Sequence, residues 1–154
     1  MLPQTYSFLN TYAAISGPGL STSLGSGSGN AEEGITIEAT EDKNTLNVGA
    51  DGSGQNVLNA ANNGTVIVRL LKTSPTNAVL MDAYNAQKSG TANWGQNVIT
   101  VMDIARGDSF TAIGCAFKRR PSITWSKAGP MIEWSFDSVD IEGVLGTGTP
   151  TTTG

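Results

Sequence analysis

Apolar and polar residues alternate along most of this chain, and one stretch changes the period. Residues 66–87 read VIVRLLKTSPTNAVLMDAYNAQ. The opening residues have the two-residue period of a β-strand, and the remainder has the period of a helix. Ser74 is placed to cap that helix, and Pro75 at its first position costs no hydrogen bond. Leu80, Ala83, Tyr84 and Gln87 fall at i, i+3, i+4 and i+7, which makes one narrow stripe. Gly90 is a natural stop. A single stripe lays the helix against one face or open end of the sheets. The expected fold is mainly β: an antiparallel β-sandwich or β-barrel with one flanking α-helix over about 75–88.

The strand signals begin at 35. Ile35, Ile37 and Ala39 alternate with Thr36 and Glu38, and Leu46, Val48 and Ala50 alternate with Thr45 and Asn47. The polar run Glu41-Asp42-Lys43-Asn44 separates them. The two runs are expected to form a β-hairpin arm over about 35–50, set off from the body by GSGSGN at 25–30 and DGSGQN at 51–56. Asn62-Asn63-Gly64 reads as a turn that tolerates positive φ. In the strand after it, Val66, Val68 and Leu70 share one face and Ile67 and Leu71 the other, so it is expected to be central. WGQNVITVMDI (94–104) behaves alike. Ile113, Cys115 and Phe117 are expected on one face of the next strand, opposite Ala112, Gly114 and Ala116. SITWSK (122–127) and MIEWSFDS (131–138) read as two more strands. The apolar phase flips after Phe136 to Val139 and Ile141, which marks a bulge or break. Residues 1–146 are expected to form one domain and 147–154 a loose tail.

The composition excludes several classes of function. With 154 residues the chain has enough surface to bury that it needs no disulfide or metal to fold. Charged residues are only 14%, against about 25% in a typical domain, so much of the surface must be Ser, Thr, Asn and Gly. The net charge of −4 argues against a groove that grips nucleic-acid phosphates. The chain has no histidine, which removes the usual general base, the commonest metal ligand and any Ser-His or Cys-His pair. Cys115 is the single cysteine and cannot form an internal disulfide. The expected cofactors and metals are none. No stretch resembles a signal peptide or a membrane span, so the reading is a soluble protein made in a cytoplasm, with no membrane partner.

Short motifs weigh less than their bland counterparts. GSGSGN lacks the lysine and the strand-to-helix context of a phosphate loop, so a flexible loop is the better reading. Arg106-Gly107-Asp108 spells an adhesion tripeptide where a turn is expected anyway. Asn63-Gly64-Thr65 matches a glycosylation acceptor, but no secretion signal accompanies it. Lys118-Arg119-Arg120 reads as a solvated rim. Glu133 and Asp137 share a strand face, which is more often solvated than a hydrolytic carboxylate pair. Trp94 and Trp125 are candidates for a sugar-stacking platform, although core or interface packing suits both better.

Longer stretches carry a family likeness: YSF at 6–8, ISGPG at 15–19, LGSGSGNAEEGITIEATEDKNTLNVGADG at 24–52, GTVIVRLLKTSPTNAVL at 64–80, GQNVITVMDIARGD at 95–108 and EWSFDSVDIEG at 133–143. In these the chain resembles the tail tube proteins of contractile-tailed bacteriophages. The resemblance covers most of the chain and is weakest at 1–5 and after Gly146. It implies a β-sandwich or barrel with one helix, the fold shared with the inner tube of type VI secretion machines. It further implies hexameric rings stacked into a hollow tube and no catalytic residues, so the chain is not expected to be an enzyme.

The expected partners are copies of itself, the tail sheath, and tube-capping and baseplate proteins, with DNA passing through unbound. The expected location is the virion tail. The inter-subunit arm is expected to use Ile35, Ile37, Glu41, Asp42, Lys43, Asn44, Leu46 and Val48. Glu38, Asp103, Glu133 and Asp137 lie on strands and are candidate lumen-facing acids, while Glu32 and Glu33 suit a loop at the ring's edge. Two alternatives stand beside this reading. One is a tube-initiating or terminating ring protein of related fold. The other is a monomeric β-sandwich that binds carbohydrate or a host surface.

Overall fold

The computed structural model describes residues 11–26, 34–103 and 106–146. Among them are ten strands and one helix: β1 (Thr11–Gly17), β2 (Leu20–Ser26), β3 (Ile35–Ala39), β4 (Asn44–Val48), β5 (Gly54–Leu58), β6 (Gly64–Leu71), α1 (Thr76–Gln87), β7 (Asn97–Asp103), β8 (Asp108–Phe117), β9 (Met131–Ser138) and β10 (Asp140–Val144). Every ladder is antiparallel. The main path runs β2-β1-β7-β8-β9-β6-β3, with β10 also paired to β8. The path does not close into a barrel. It folds over as a sandwich, with β2, β1, β7 and β10 on one side, β9, β6 and β3 on the other, and β8 shared.

Sharing β8 requires a local change of phase. Ala112 lies opposite Ile99 and Cys115 opposite Asn97, so β8 spends one residue more than β7 between these pairs. Gly114 absorbs it at φ +63°, where a Cβ is strained. The expected face of this strand is therefore corrected: Ala112 and Cys115 are both buried, whereas Ile113 is turned outward. Beyond the bulge β8 leaves β10 and pairs with β9 through Ala116 and Phe117. The matching break on the other strand is the one read from the flipped phase. There β9 ends at Ser138, whose Oγ donates to the Ile113 carbonyl at 2.8 Å, and β10 starts at Asp140. Gly114→Ala forces a side chain into left-handed backbone with Val139 Cγ2 only 3.0 Å from the new Cβ. We expect a loss of about 1–2 kcal/mol, read as a lower urea midpoint at unchanged slope; an unchanged midpoint would contradict the bulge.

The core fills the space between the layers. Val66, Val68 and Leu70 from β6 and Ile132, Trp134 and Phe136 from β9 face Ile15, Leu24 and Ile99, with Phe117 between them. Phe117 packs against Phe136 at 4.9 Å and edge-on to Trp134 and Tyr84 at 5.9 and 5.6 Å, ring centre to ring centre. Trp94, a candidate for a sugar platform, joins this cluster edge-on to Tyr84.

Helix α1 caps the sandwich as its stripe predicts. Leu80, Ala83 and Gln87 are buried, and Ser74 Oγ accepts the Thr76 N–H at 3.3 Å. Asn77 ties the helix to both neighbours, donating to the Leu71 carbonyl at 2.8 Å and accepting from Trp134 Nε1 at 2.9 Å. Gly90 is not left-handed; the helix ends through tightened turns at Ser89 and Gly90. At its last turn, Gln87 and Asn97 exchange two amide hydrogen bonds of 2.9 Å, and Asn97 Nδ2 also donates to the Cys115 carbonyl at 3.1 Å. Both side chains are fully buried. The Gly17 backbone passes so close to the Asn97 amide that a Cβ there would overlap it.

Three expectations are corrected. The run at 35–39 does not pair with 45–50: β3 lies along β6 as an edge strand of the body. The run at 44–48 pairs instead with 54–58, so the hairpin arm is β4–β5. The segment 122–127 forms no ladder among the described residues; prolines at 121 and 130 flank it, and each removes a donor. Asn62-Asn63-Gly64 is not a positive-φ turn. Gly64 opens β6 against the Glu38 backbone, where a Cβ would clash.

Candidate assembly surfaces

Two surfaces stand out because no layer of the described residues covers them. The first is the outward face of β3, β6 and β9. Alternation turns Val66, Val68, Trp134 and Phe136 inward and sends their neighbours out. Register then sets Glu38 beside Thr65 and Thr65 beside Asp137, and one step along sets Thr36, Ile67 and Ser135 in a row. Arg69 pairs with Glu133 at 3.3 Å and donates to Thr36 Oγ1 at 3.0 Å. Lys118 lies 4.0 Å from Asp137. These ion pairs are partly exposed and add little stability. Glu38 is exposed and makes no ion pair among the described residues. Ile67 and Leu71, expected to be covered, are half-buried, with no layer of the described residues above them. Helix α1 lies on the other side of this sheet, where Trp134 reaches it.

The structure thus brings three of the four candidate acids together: Glu38, Glu133 and Asp137 share this face. Asp103 does not join them. It is buried at the end of β7, and its Oδ1 accepts the Arg106 N–H at 3.1 Å within the β7–β8 turn. The expected turn at 106–109 is present, with Gly107 at φ +83°. Glu32 and Glu33 lie outside the described residues.

The second surface is the arm. Every residue of β4 and β5 is exposed. Register puts Leu46, Val48 and Leu58 on one of its faces, all open to solvent. Its root is held by polar contacts: Lys43 Nζ donates to Asn62 Oδ1 at 2.7 Å, Asn59 Nδ2 to Glu41 Oε2 at 3.1 Å, and Asn62 Nδ2 to Glu142 Oε1 at 3.2 Å. At its tip the Ser53 hydroxyl and amide hydrogen-bond Asp51 and hold its carboxyl below the ordinary 3.8. Of the expected arm residues, Glu41, Asp42, Lys43, Asn44, Leu46 and Val48 belong to this element, while Ile35 and Ile37 pack against the core instead. The second strand, Gly54–Leu58, was missed. Its signal was present as Asp51-Gly52, a hairpin turn between two strand-length runs.

No group of three or more metal-ligating side chains gathers among the described residues. Cys115 is buried and its thiol is pushed up by that burial. Among the described residues no helix is long and apolar enough to cross a membrane.

A family model for the bacteriophage PhiTE tail tube protein matches residues 3–146. The chain belongs to that tail tube family. Among solved structures this chain is similar in fold to a chain of the sheath-tube complex of an extracellular contractile injection system, PVC, in the extended state. That match has 8% identity, 86% of this chain and 88% of the other covered, and a TM-score of 0.56. A chain of the anti-feeding prophage tube-terminating cap matches with 8% identity, 94% of each chain covered and a TM-score of 0.53. A chain of the anti-feeding prophage baseplate, 6-fold symmetrised, matches with 9% identity, 94% and 97% covered and a TM-score of 0.57. No curated protein matches in sequence. The family and the fold agree with the resemblance read from the sequence.

Proposed function

We propose that this chain is the building block of a phage tail tube, a structural protein and not an enzyme. Its copies form rings, six to a ring, that stack into a hollow tube through which DNA passes. Membership of the tail tube family over 3–146 carries this reading. The outward face of β3, β6 and β9 supports it. It is a sheet face that no layer of the described residues covers, with three carboxylates against the two cations Arg69 and Lys118. Facing a bore, Glu38, Glu133 and Asp137 would not hold DNA phosphates, since tight binding needs a cationic surface. Edges at β2 and β3 that are unpaired among the described residues suit neighbours within a ring, where pairing removes exposed backbone groups. Helix α1 then lies away from the bore. Sheath, cap and baseplate proteins are the further partners, no cofactor is needed, and the finished protein resides in the virion tail after synthesis in the host cytoplasm.

Negative-stain electron microscopy of the purified protein at low and high concentration tests the proposal. Hollow tubes or stacked rings are expected. Isolated rings that never stack would favour a terminating or initiating ring protein, and small globular particles at every concentration would sink the tube reading.

A further inference from the structure

The root of the arm holds an amine, a carboxamide and a carboxylate in series. Lys43 Nζ donates to Asn62 Oδ1 at 2.7 Å, and Asn62 Nδ2 donates to Glu142 Oε1 at 3.2 Å. The flanking groups fix the orientation of the amide, since an ammonium can only donate and a carboxylate can only accept. The amide carbon lies one C=O bond beyond Oδ1, so Nζ stands within about 4 Å of it. A near-attack arrangement takes about 3–3.5 Å, a small rotation of the lysine away. Both backbones are anchored. The Lys43 carbonyl accepts the Asn59 N–H at 2.8 Å, and the Asn62 carbonyl accepts the Ile141 N–H at 2.9 Å. Among the described residues Lys43 makes no ion pair, and the other contact of its amine is the Ala61 carbonyl at 3.4 Å. Lys43 and Asn62 also line a cavity of about 250 Å³ whose apolar wall includes Ile37, Phe110 and Ile141. Glu41 lines it too, but its Oε2 is occupied by Asn59 Nδ2.

We propose that Lys43 and Asn62 of one chain join covalently through an amide bond between their side chains, with Glu142 as the catalytic proton shuttle. Lys43 releases a proton to water and attacks as the free amine, forming a bond from Nζ to the Asn62 amide carbon. In the tetrahedral adduct both nitrogens sit on that one carbon, so a carboxylate that touches one reaches the other. Glu142 takes the proton that the attacking nitrogen sheds and delivers it to Nδ2. The bond from carbon to Nδ2 then breaks and ammonia leaves, taking up the proton first released. A lysine ammonium and a carboxamide become a secondary amide and an ammonium ion, with no oxidant or cofactor. The bond closes a ring from 43 to 62 that contains both arm strands. It restricts the loop in every state of the chain, so the arm cannot come loose at its base. The inference stands on this geometry alone and does not depend on the tube reading.

Intact-protein mass spectrometry of the purified chain, free and in whatever assemblies it forms, tests the proposal. The native chain should weigh about 17 Da less than its sequence requires, the mass of one ammonia. Lysyl endopeptidase on the denatured protein should leave the bond after Lys43 uncut, because an acylated lysine is not recognised. That second readout separates the crosslink from loss of ammonia by ring closure at Asn63-Gly64, which leaves Lys43 open to cleavage. Lys43→Arg and Asn62→Ala should keep the full mass, and Glu142→Gln should form the link at least about 100-fold more slowly. All three positions are exposed, and circular dichroism establishes that the variants fold. A native chain of full mass that is cut after Lys43, both free and assembled, would overturn the proposal. So would a lighter chain that is still cut there. A link that forms as fast in Glu142→Gln would overturn the role given to the carboxylate.

Discussion

Leu80→Asp is expected to leave the domain unfolded at 25 °C. Leu80 is fully buried in the stripe that joins α1 to the sandwich. Truncating a buried leucine costs about 2–5 kcal/mol through lost transfer energy and the cavity left behind. The aspartate adds a carboxyl with no hydrogen-bond partner in an apolar site, at a cost of several kcal/mol more. The sum reaches the whole stability of an ordinary domain, about 5–15 kcal/mol. Leu80→Ala, by contrast, should fold with a lower midpoint. Circular dichroism with urea titration separates the cases, and a cooperative transition for Leu80→Asp near that of the native protein would falsify the buried-stripe account.

Asn97→Ala carries the second largest expected effect, about 3–5 kcal/mol. The substitution removes few apolar contacts; its cost lies in what remains. Gln87 Oε1 loses its donor, and Gln87 Nε2 keeps only the 3.4 Å contact to the Pro18 carbonyl. The Cys115 carbonyl loses the Asn97 donor as well. Each buried polar group left unsatisfied costs about 1–3 kcal/mol. Because the two amides satisfy each other, Gln87→Ala should cost nearly as much, and the double variant little more than either alone. Additive losses in the double-variant cycle would show that the two amides act independently.

Much of the architecture was legible in short-range pattern. The helix could be read because Ser74, Pro75 and the Leu80–Gln87 stripe each state a local rule; Leu80, Ala83 and Gln87 are buried as read, while Pro75 precedes the helix as its N-cap residue instead of opening it. The β9–β10 break could be read because alternation changes phase at Val139. Strand pairing was less legible. The runs at 35–39 and 44–48 lie close in sequence and alternate well, yet Ile35 and Ile37 gain more by lying on Val66 and Val68 than by pairing with an exposed neighbour. The 122–127 run alternates as a strand would, but its flanking prolines leave it without a ladder. Asp103 and Glu133 looked equivalent as strand acids. One is buried in a turn and the other stands on a solvent face, a difference set by the end of β7 and not by the residue type.

The order of residues thus determined by itself what depends on near neighbours: a mainly β chain, one helix with its buried stripe, the absence of histidine chemistry, and the position of the β9–β10 break. Family texture in stretches such as LGSGSGNAEEGITIEATEDKNTLNVGADG added the tail tube assignment. Only the tertiary structure decided which strands meet, which of the alternating acids share a face, and that Gln87 and Asn97 close a buried pair. The physical reason is range. Capping, turn chemistry and alternation are settled within a few residues, whereas register and burial follow from the competition among all strands for one apolar interior. That competition places β3 against β6 and leaves the β4–β5 arm outside.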